Sequence, residues 1–190
     1  MIILSDFIQE LNKANMFILA DIEATCWERH KKVDDNEIIE IAFLVCNVKG
    51  DVLCRYQSFA KPVTNTKLSR FCKKLTGIKQ EDLVDARPLG DVILEITDMI
   101  EDRFGIPSHF ISWASWGNWD PICLGNDCER HNVDVPFGNH INLQKLYEDL
   151  RGVNVGLKEA CELEGYKWIG ERHRALSDTE NSLNIAKILL

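Results

Sequence analysis

The sequence predicts a single α/β domain built on a mixed β-sheet, and three observations lead to that fold class. Strand-like apolar segments dominate the first third of the 190-residue chain, whereas helical patterns alternate with strand patterns afterwards. Two early segments are joined by a short turn and predict an antiparallel hairpin, so the sheet is mixed. The length suits one domain over 1–190, with 1–15 as a lead-in segment or helix.

The strand signals begin with residues 16–22, a continuous apolar run that is typical of a strand buried on both faces. A longer β-rich segment covers 36–48, the turn sequence VKGD follows, and a second strand pattern covers 52–60. These segments predict the hairpin. A further strand is expected over 108–115.

Helical patterns fill most of the remaining chain, and the clearest covers 87–104. Pro88 suits its first turn, and apolar residues recur there every three to four positions. Further helices are expected from near 121, over 141–150, over 155–165 and from about 176 to the C-terminus.

A shorter helix is predicted over 67–78. Gly77 can end it in the left-handed conformation. Its spacing places four apolar side chains on one face of the helix. These are Leu68, Phe71, Cys72 and Leu75.

Composition restricts the possible classes of protein. The chain is 45% hydrophobic and 27% charged, which is ordinary for a globular domain with a core. It lacks an apolar run of the ~18 residues that a membrane helix needs, and its N-terminus lacks the basic region of a signal peptide, so a cytoplasmic protein without membrane contact is expected. Seven cysteines at irregular spacing predict reduced, mostly buried thiols.

The net charge of −8 argues against a domain that holds long nucleic acid by bulk electrostatics. It still allows an enzyme that acts on nucleic acid, because bound divalent cations reverse the local field.

Two carboxylates, Asp21 and Glu23, end the first strand. Because side chains alternate across a strand, both project from the same face. Like charges at that spacing repel each other unless a cation lies between them, and carboxylate oxygens are the ligands that Mg²⁺ prefers. The pair therefore predicts a divalent metal site, although such a pair alone is also common at polar strand ends.

Two later segments strengthen the metal hypothesis. Asp120 follows a predicted strand and precedes a helix, and His173 stands five positions before Asp178 near the start of the last helix. Ser177 and Glu180 have the spacing of a capping box, which places Asp178 in the first turn, where the helix dipole favours a negative charge.

In this order, these residues resemble the three motifs of the DEDDh (DnaQ-like) 3′–5′ exonuclease superfamily. The segments DIEATCW, EIIEIAF, LSRFCKKLTGIKQ, WGNWD and GERHRALSDTENSLNIAKIL are similar to its ERI-1 branch, exoribonucleases that act on histone mRNA tails, small RNAs and ribosomal RNA ends. The resemblance covers about residues 16–190.

The resemblance implies an RNase H-like fold with a mixed five-stranded sheet flanked by helices. It also implies a metal-dependent 3′–5′ exoribonuclease that releases nucleoside 5′-monophosphates from single-stranded RNA 3′ ends and so takes part in RNA processing. Two Mg²⁺ or Mn²⁺ ions would be bound by Asp21, Glu23, Asp120 and Asp178. Glu23 and His173 would be catalytic, with His173 as the general base that takes a proton from the attacking water.

The resemblance further suggests residues that contact the terminal nucleotide. Ala24 would contact it through its backbone, and Thr25 would join it. Trp27 and Trp119 would stack on the terminal base or enclose it, with core packing as the competing interpretation.

Basic residues near these motifs have two interpretations each. Arg172 and Arg174 flank the general base and would either meet phosphate or lie in a solvated loop. Lys67, Arg70 and Lys74 recur at helical spacing and would either hold the RNA backbone or form a solvated face, with the solvated face favoured.

Two other functions remain open at this stage. The same chemistry would serve DNA as substrate, because the contacts that read the 2′-hydroxyl are not visible in the sequence. Related bacterial domains act as regulators of sporulation kinases, so a binding module is an alternative, although four carboxylates held together favour an enzyme.

Overall fold

A computed structural model of the chain describes residues 14–29 and 35–190, and it places a mixed sheet between two layers of helices. The predicted lead-in segment or helix over 1–15 lies almost wholly outside the described residues. The strands in the described part of the chain are β1 (Met16–Ala24), β2 (Ile38–Asn47), β3 (Val52–Lys61), β4 (Arg87–Pro88), β5 (Trp113–Ser115) and β6 (His140–Asn142).

The sheet order is β4-β3-β2-β1-β5-β6. β1 pairs antiparallel with β2, and β2 with β3, while the remaining neighbours are parallel. The mixed α/β class predicted from the sequence is thus confirmed. Five of these strands correspond to the expected five-stranded sheet, and the two-residue strand β4 adds a sixth at the edge beside β3.

The helices lie on both faces of this sheet and connect its strands. They are α1 (Arg70–Thr76), α2 (Leu89–Phe104), α3 (Trp119–Arg130), α4 (Leu143–Arg151), α5 (Leu157–Leu163) and α6 (Ala175–Leu189). Short 3₁₀ turns cover Gln80–Leu83 and Ser108–Phe110.

The side chains on the two faces of β1 pack against different helices, which form the layers on either side of the sheet. Ile18, Ala20 and Ile22 point to one face, where they pack in a core with apolar residues of α2 and α3. Phe17 and Leu19 point to the other face and pack against α4 and α6. Side chains two positions apart share a face, so Asp21 and Glu23 continue the row of Phe17 and Leu19 towards the start of α6.

Most predicted elements are present, and the main difference concerns 108–115. The sequence predicts a strand there, but the structure has a 3₁₀ turn followed by the three residues of β5. The amides of Phe110 and Ile111 donate to the carbonyl oxygens of Pro107 and Ser108, so the backbone over 107–111 closes a turn, and strand pairing with β1 begins only at the Ser112 carbonyl oxygen.

The predicted reduced cysteines are confirmed. All seven lie in described parts of the chain as free thiols, and six of them are buried. Within the described residues, no helix combines the length and the apolar character that crossing a membrane requires.

Candidate active site

Asp21 and Glu23 lie at the end of β1 beside the middle of the sheet. Glu23 is opposite Glu40 of β2, and the pairing register shifts between Glu23 and Ala24. A bulge of this kind bends the strand and redirects the side chains next to it. The sequence-predicted pair therefore shares one face, as expected, at a point where strand pairing is interrupted.

Asp120 joins them from the first turn of α3, which directly follows β5. It is 5% exposed, and its Oδ1 accepts a hydrogen bond from the Ile22 amide, 3.3 Å away. The nearby Ser115 hydroxyl opposes the rise in the pKa of this carboxyl group. The Ser115 oxygen in turn lies 2.9 Å from Nε2 of His140. This chain of contacts fixes Asp120 against the backbone between Asp21 and Glu23.

His173 and Asp178 lie at the start of α6. His173 has a positive φ of 57°, an uncommon backbone state for a residue other than glycine. Its amide donates to Oδ2 of Asp178 at 3.3 Å. Asp178 Oδ1 is buried and has no hydrogen-bond partner among the described residues. One oxygen of this side chain is therefore left available for a ligand.

The predicted capping box at Ser177 and Glu180 is wrong, although Asp178 does lie in the first turn. The helix begins at Ala175, and Arg174 is its N-cap residue without a side-chain cap. Instead, Oε2 of Glu40 accepts from the Ala175 amide at 2.9 Å. A carboxylate from β2 thus supplies the cap that the local sequence does not.

Glu40 also binds the arginine that follows the predicted base. Its side chain is fully buried, and its oxygens accept three hydrogen bonds from the Arg174 guanidinium, at 2.7 to 3.3 Å. Gln57 donates to the same carboxylate at 2.7 Å. The solvated-loop interpretation of Arg174 is therefore wrong, because its guanidinium is paired with a buried carboxylate. It anchors the chain next to His173.

The carboxyl groups around Asp21 oppose one another's ionisation in the metal-free protein. Burial, followed by the charges of Asp120, Glu23, Asp178 and Glu40, raises the pKa of Asp21 well above its usual range. Burial and the charge of Asp178 raise the pKa of Glu23 to about 9. Burial also raises the pKa of Asp120 and of Asp178 to about 6 each.

This cluster fits a divalent cation. One ligand atom each from Glu23, His173 and Asp178 lies within 4.8 Å of the other two. Asp21 and Asp120 are outside that tight group, but their charges act on it directly. Carboxylate oxygens are the ligands that such a cation prefers, and its charge would offset the repulsion between them. The Asp178 oxygen without a hydrogen-bond partner is available to bind it.

The predicted substrate-binding residues occupy different environments. Thr25 is buried, and its hydroxyl accepts from the Glu37 amide at 3.0 Å, so this oxygen is used inside the protein. Ala24 is also buried. Trp27 is half-buried, whereas Trp119, next to Asp120, is 40% exposed. Of the two tryptophans, Trp119 offers the more open ring.

A cavity of about 470 Å³ lies next to His173. It is lined in part by His173, Asp178, Arg172 and Trp168. Arg172, unlike Arg174, is exposed and faces this space. Its charge, after burial, contributes to lowering the pKa of His173, so the imidazole is neutral at physiological pH.

Glu40 and Ser115 are the residues of this site that sequence reasoning missed as contributors. Glu40 stands in EIIEIAF, but its role depends on strand register and on a contact with a residue 134 positions away. The signal that would find it is its position opposite Glu23, which requires the register of the hairpin.

The raised carboxyl pKa values predict how the stability of the metal-free protein depends on pH. Asp120 and Asp178 bind protons more tightly in the folded state, so their stabilising contribution is present below pH 4 and is lost as the pH rises through about 6. In the double variant Asp120→Asn/Asp178→Asn these two groups do not titrate, so this decrease in stability with rising pH is absent. In EDTA, the melting temperature of this variant should therefore rise relative to that of the unaltered protein between about pH 4 and pH 6, and the difference should level off above that range. A difference that stays constant with pH would contradict the arrangement.

Comparison with known proteins identifies similar chains over nearly the whole length. A family model named RNase_T, described as an exonuclease, matches residues 18–186. ERI1 exoribonuclease 2 of Danio rerio is 29% identical over 195 residues, covering 93% of this chain and 35% of that protein. ERI1 exoribonuclease 3 of Homo sapiens is 30% identical over 181 residues, covering 91% of this chain and 53% of that protein. The chain thus spans about a third to a half of the length of these two relatives.

Solved structures agree with the sequence matches. The nuclease domain of 3′hExo, a DEDDh family member bound to rAMP, has a TM-score of 0.84 and 27% identity, covering 93% of this chain and 92% of that one. A 3′-exonuclease that recognises a histone mRNA stem-loop has a TM-score of 0.82 and 25% identity, covering 93% and 63% of the two chains. These matches confirm the resemblance that the motifs indicate.

Proposed function

The chain belongs to the exonuclease family that the RNase_T model describes, and from this premise we propose that it is a 3′–5′ exoribonuclease. Its substrate would be the 3′ end of single-stranded RNA, and its product a nucleoside 5′-monophosphate. The observation that carries the proposal is the convergence of Glu23, His173 and Asp178, from β1 and the start of α6, within 4.8 Å. The relatives named as exoribonucleases and the 3′hExo domain bound to rAMP support RNA as the substrate class.

The same proposal assigns two divalent cations, Mg²⁺ or Mn²⁺, to Asp21, Glu23, Asp120 and Asp178. When bound, such cations offset the repulsion between these carboxylates, stabilise the charge that develops on the phosphate, and make water a better nucleophile. The partnerless Oδ1 of Asp178 and the raised pKa of Glu23 support a ligand role for these two side chains.

The remaining chemistry falls to this chain's own side chains. The lowered pKa of His173 keeps its imidazole free to accept the proton of the attacking water. The bond from its amide to Asp178, together with the contacts of Arg174 and Ala175 to Glu40, fixes the backbone on both sides of the imidazole. The exposed ring of Trp119 offers a stacking surface for the terminal base.

Hydrolysis explains the cluster better than binding alone does. Burying several carboxylates side by side costs free energy, and a pure binding module has no need of that cost. A scaffold that regulates a kinase would be served equally well by neutral side chains at these positions. The cluster therefore favours the enzyme over the binding alternative.

The proposal is tested by incubating the pure protein with RNA and with DNA of the same sequence, each labelled at its 5′ end. We expect a ladder shortened from the 3′ end with Mg²⁺ or Mn²⁺, mononucleotide products carrying a 5′-phosphate, and no reaction in EDTA. Faster shortening of RNA supports the exoribonuclease, whereas faster shortening of DNA would indicate a 3′–5′ DNA exonuclease instead. Internal cuts, or no cleavage with any metal, would overturn it.

A cytoplasmic location is part of this proposal, since RNA 3′ ends are available there. It is tested by microscopy of the full-length protein in its own cells. Secretion of the protein would contradict it.

A further inference from the structure

Positive charge is concentrated in one segment of this acidic protein. Residues 52–80 contain no Asp or Glu, although the whole chain carries a net charge of −8. The cations of this segment are Arg55, Lys61, Lys67, Arg70, Lys73, Lys74 and Lys79. Arg55 is paired with Glu180, so the cations that can attract an anion are those of the loop and helix that follow β3.

Helix α1 carries the centre of this basic segment and borders the candidate active site. The Ser69 hydroxyl, just before α1, donates to the Cys26 carbonyl oxygen at 2.6 Å. The Cys72 thiol donates to the Ala24 carbonyl oxygen at 3.6 Å, one residue beyond Glu23. At the other end of the helix, the Gly77 α-carbon faces the carboxylate of Glu171, in the loop that leads to His173.

The outer face of α1 combines charge with exposed apolar surface. Phe71 and Leu75, which helical spacing places on one face with Leu68 and Cys72, are each 38% exposed. Arg70 and Lys74, one turn apart, are exposed beside them. Together with Glu28 these four side chains line a groove of about 460 Å³.

We propose that this groove binds the nucleotides that precede the 3′-terminal one. Arg70 and Lys74 contact their phosphates, and the ring of Phe71 stacks against a base. This inference rests on the proposed exoribonuclease function and extends it to the path of the substrate. Single-stranded nucleic acid is bound by basic side chains that contact its phosphates and by aromatic rings that stack on its bases. The groove offers both, next to the end of the strand that carries Asp21 and Glu23.

The solvated-face interpretation explains the basic side chains but not the exposed Phe71 ring and Leu75 side chain beside them. A helix face that only contacts water has no reason to leave Phe71 and Leu75 open, because each exposes apolar area that burial would remove. Glu28 is the acidic group among the residues that line the groove. Its single charge leaves the groove positive on balance.

Binding measurements on a ten-nucleotide RNA test the groove. All proteins carry Asp178→Asn, which prevents cleavage, and affinity is followed by fluorescence anisotropy over a range of salt concentrations. We expect Arg70→Gln/Lys74→Gln to lower the affinity and to reduce the slope of log K against log salt by about 1.4, which is ~0.7 for each lost phosphate contact. Phe71→Ala should lower the affinity about tenfold without changing the slope.

The matched control is Lys49→Gln/Arg103→Gln. It removes the same charge from exposed residues that lie in the β2–β3 hairpin and at the end of α2, away from Asp21 and Glu23. The control should keep the affinity and the slope of the parent. If the control lowered the affinity and the slope as much as Arg70→Gln/Lys74→Gln does, the proposed role of the groove would be wrong.

A second readout separates the groove from the proposed function. The p-nitrophenyl ester of a nucleoside 5′-monophosphate has no preceding nucleotides. In proteins that retain Asp178, Arg70→Gln/Lys74→Gln should hydrolyse this ester at the unaltered rate while its kcat/KM for the ten-nucleotide RNA falls at least tenfold. Failure of the unaltered protein to cleave either compound would reject the exoribonuclease itself. A normal kcat/KM for RNA in the variant would reject only the groove.

Discussion

Asp21→Asn is expected to abolish RNA hydrolysis and, at the same time, to make the metal-free protein more stable. Burial and four neighbouring carboxylates raise the pKa of Asp21, so folding must either protonate this side chain or tolerate its charge. Both cost free energy at neutral pH, and asparagine removes that cost. We expect kcat to fall about a thousandfold or more, which corresponds to about 4 kcal/mol in the activation barrier.

Two measurements check this prediction together. Single-turnover rates in Mn²⁺ give the loss of activity, and thermal unfolding in EDTA gives the gain in stability. Added Mn²⁺ should raise the melting temperature of the unaltered protein more than that of Asp21→Asn, because a ligand that binds the folded state stabilises it according to its affinity. The control Asp98→Asn makes the same change on the exposed face of α2 and should alter neither quantity. Turnover that survives in Asp21→Asn would contradict the site.

Arg174→Gln is expected to destabilise the protein by about 3 to 5 kcal/mol, because it leaves the fully buried Glu40 charge without its partner. The change also releases the backbone next to His173, whose positive φ is held between Asp178 and the Glu40 contacts. We therefore expect kcat to fall even at temperatures where the variant is fully folded, with a smaller change in KM. Denaturant unfolding and steady-state kinetics measure the two effects.

Two variants show whether Arg174 acts by positioning His173. Arg174→Lys keeps the charge but loses the paired geometry, so it should recover part of both stability and kcat. Arg151→Gln breaks a comparable arginine–carboxylate pair with Glu164, which is more exposed. Loss of that surface pair should cost about 1 kcal/mol or less and leave kcat unchanged. If Arg174→Gln lost stability but retained kcat, the contact with Glu40 would be structural only.

Local sequence signals predicted the parts of the site that depend on neighbouring residues. Alternation along β1 placed Asp21 and Glu23 on one face. The placement of Asp178 in the first turn of α6 is also correct, although the capping box from which it was predicted is absent. The end of α1 at Gly77, with a φ of 71°, also follows from one residue and its conformational freedom. Each of these features is decided within a few positions of the chain.

Features decided over long distances were missed or wrong. The capping box failed because Glu40, in another strand, caps α6 and makes a local cap unnecessary. The exposure of Phe71 and Leu75 could not be read from helical spacing, because a seven-residue helix that docks through Ser69 and Cys72 turns its other apolar side chains outward. Strands β4 and β6, of two and three residues, are too short to leave a periodic signal.

The central claim is that carboxylates from β1, α3 and α6 share divalent cations with His173 beside them. Crystals of the protein soaked in Mn²⁺ with a nucleoside 5′-monophosphate, and measured at the manganese absorption edge, test it most directly. The account predicts anomalous density between Asp21, Glu23, Asp120 and Asp178, with the phosphate of the nucleotide facing the His173 imidazole. Manganese bound only elsewhere, with these carboxylates turned away from one another, would contradict it.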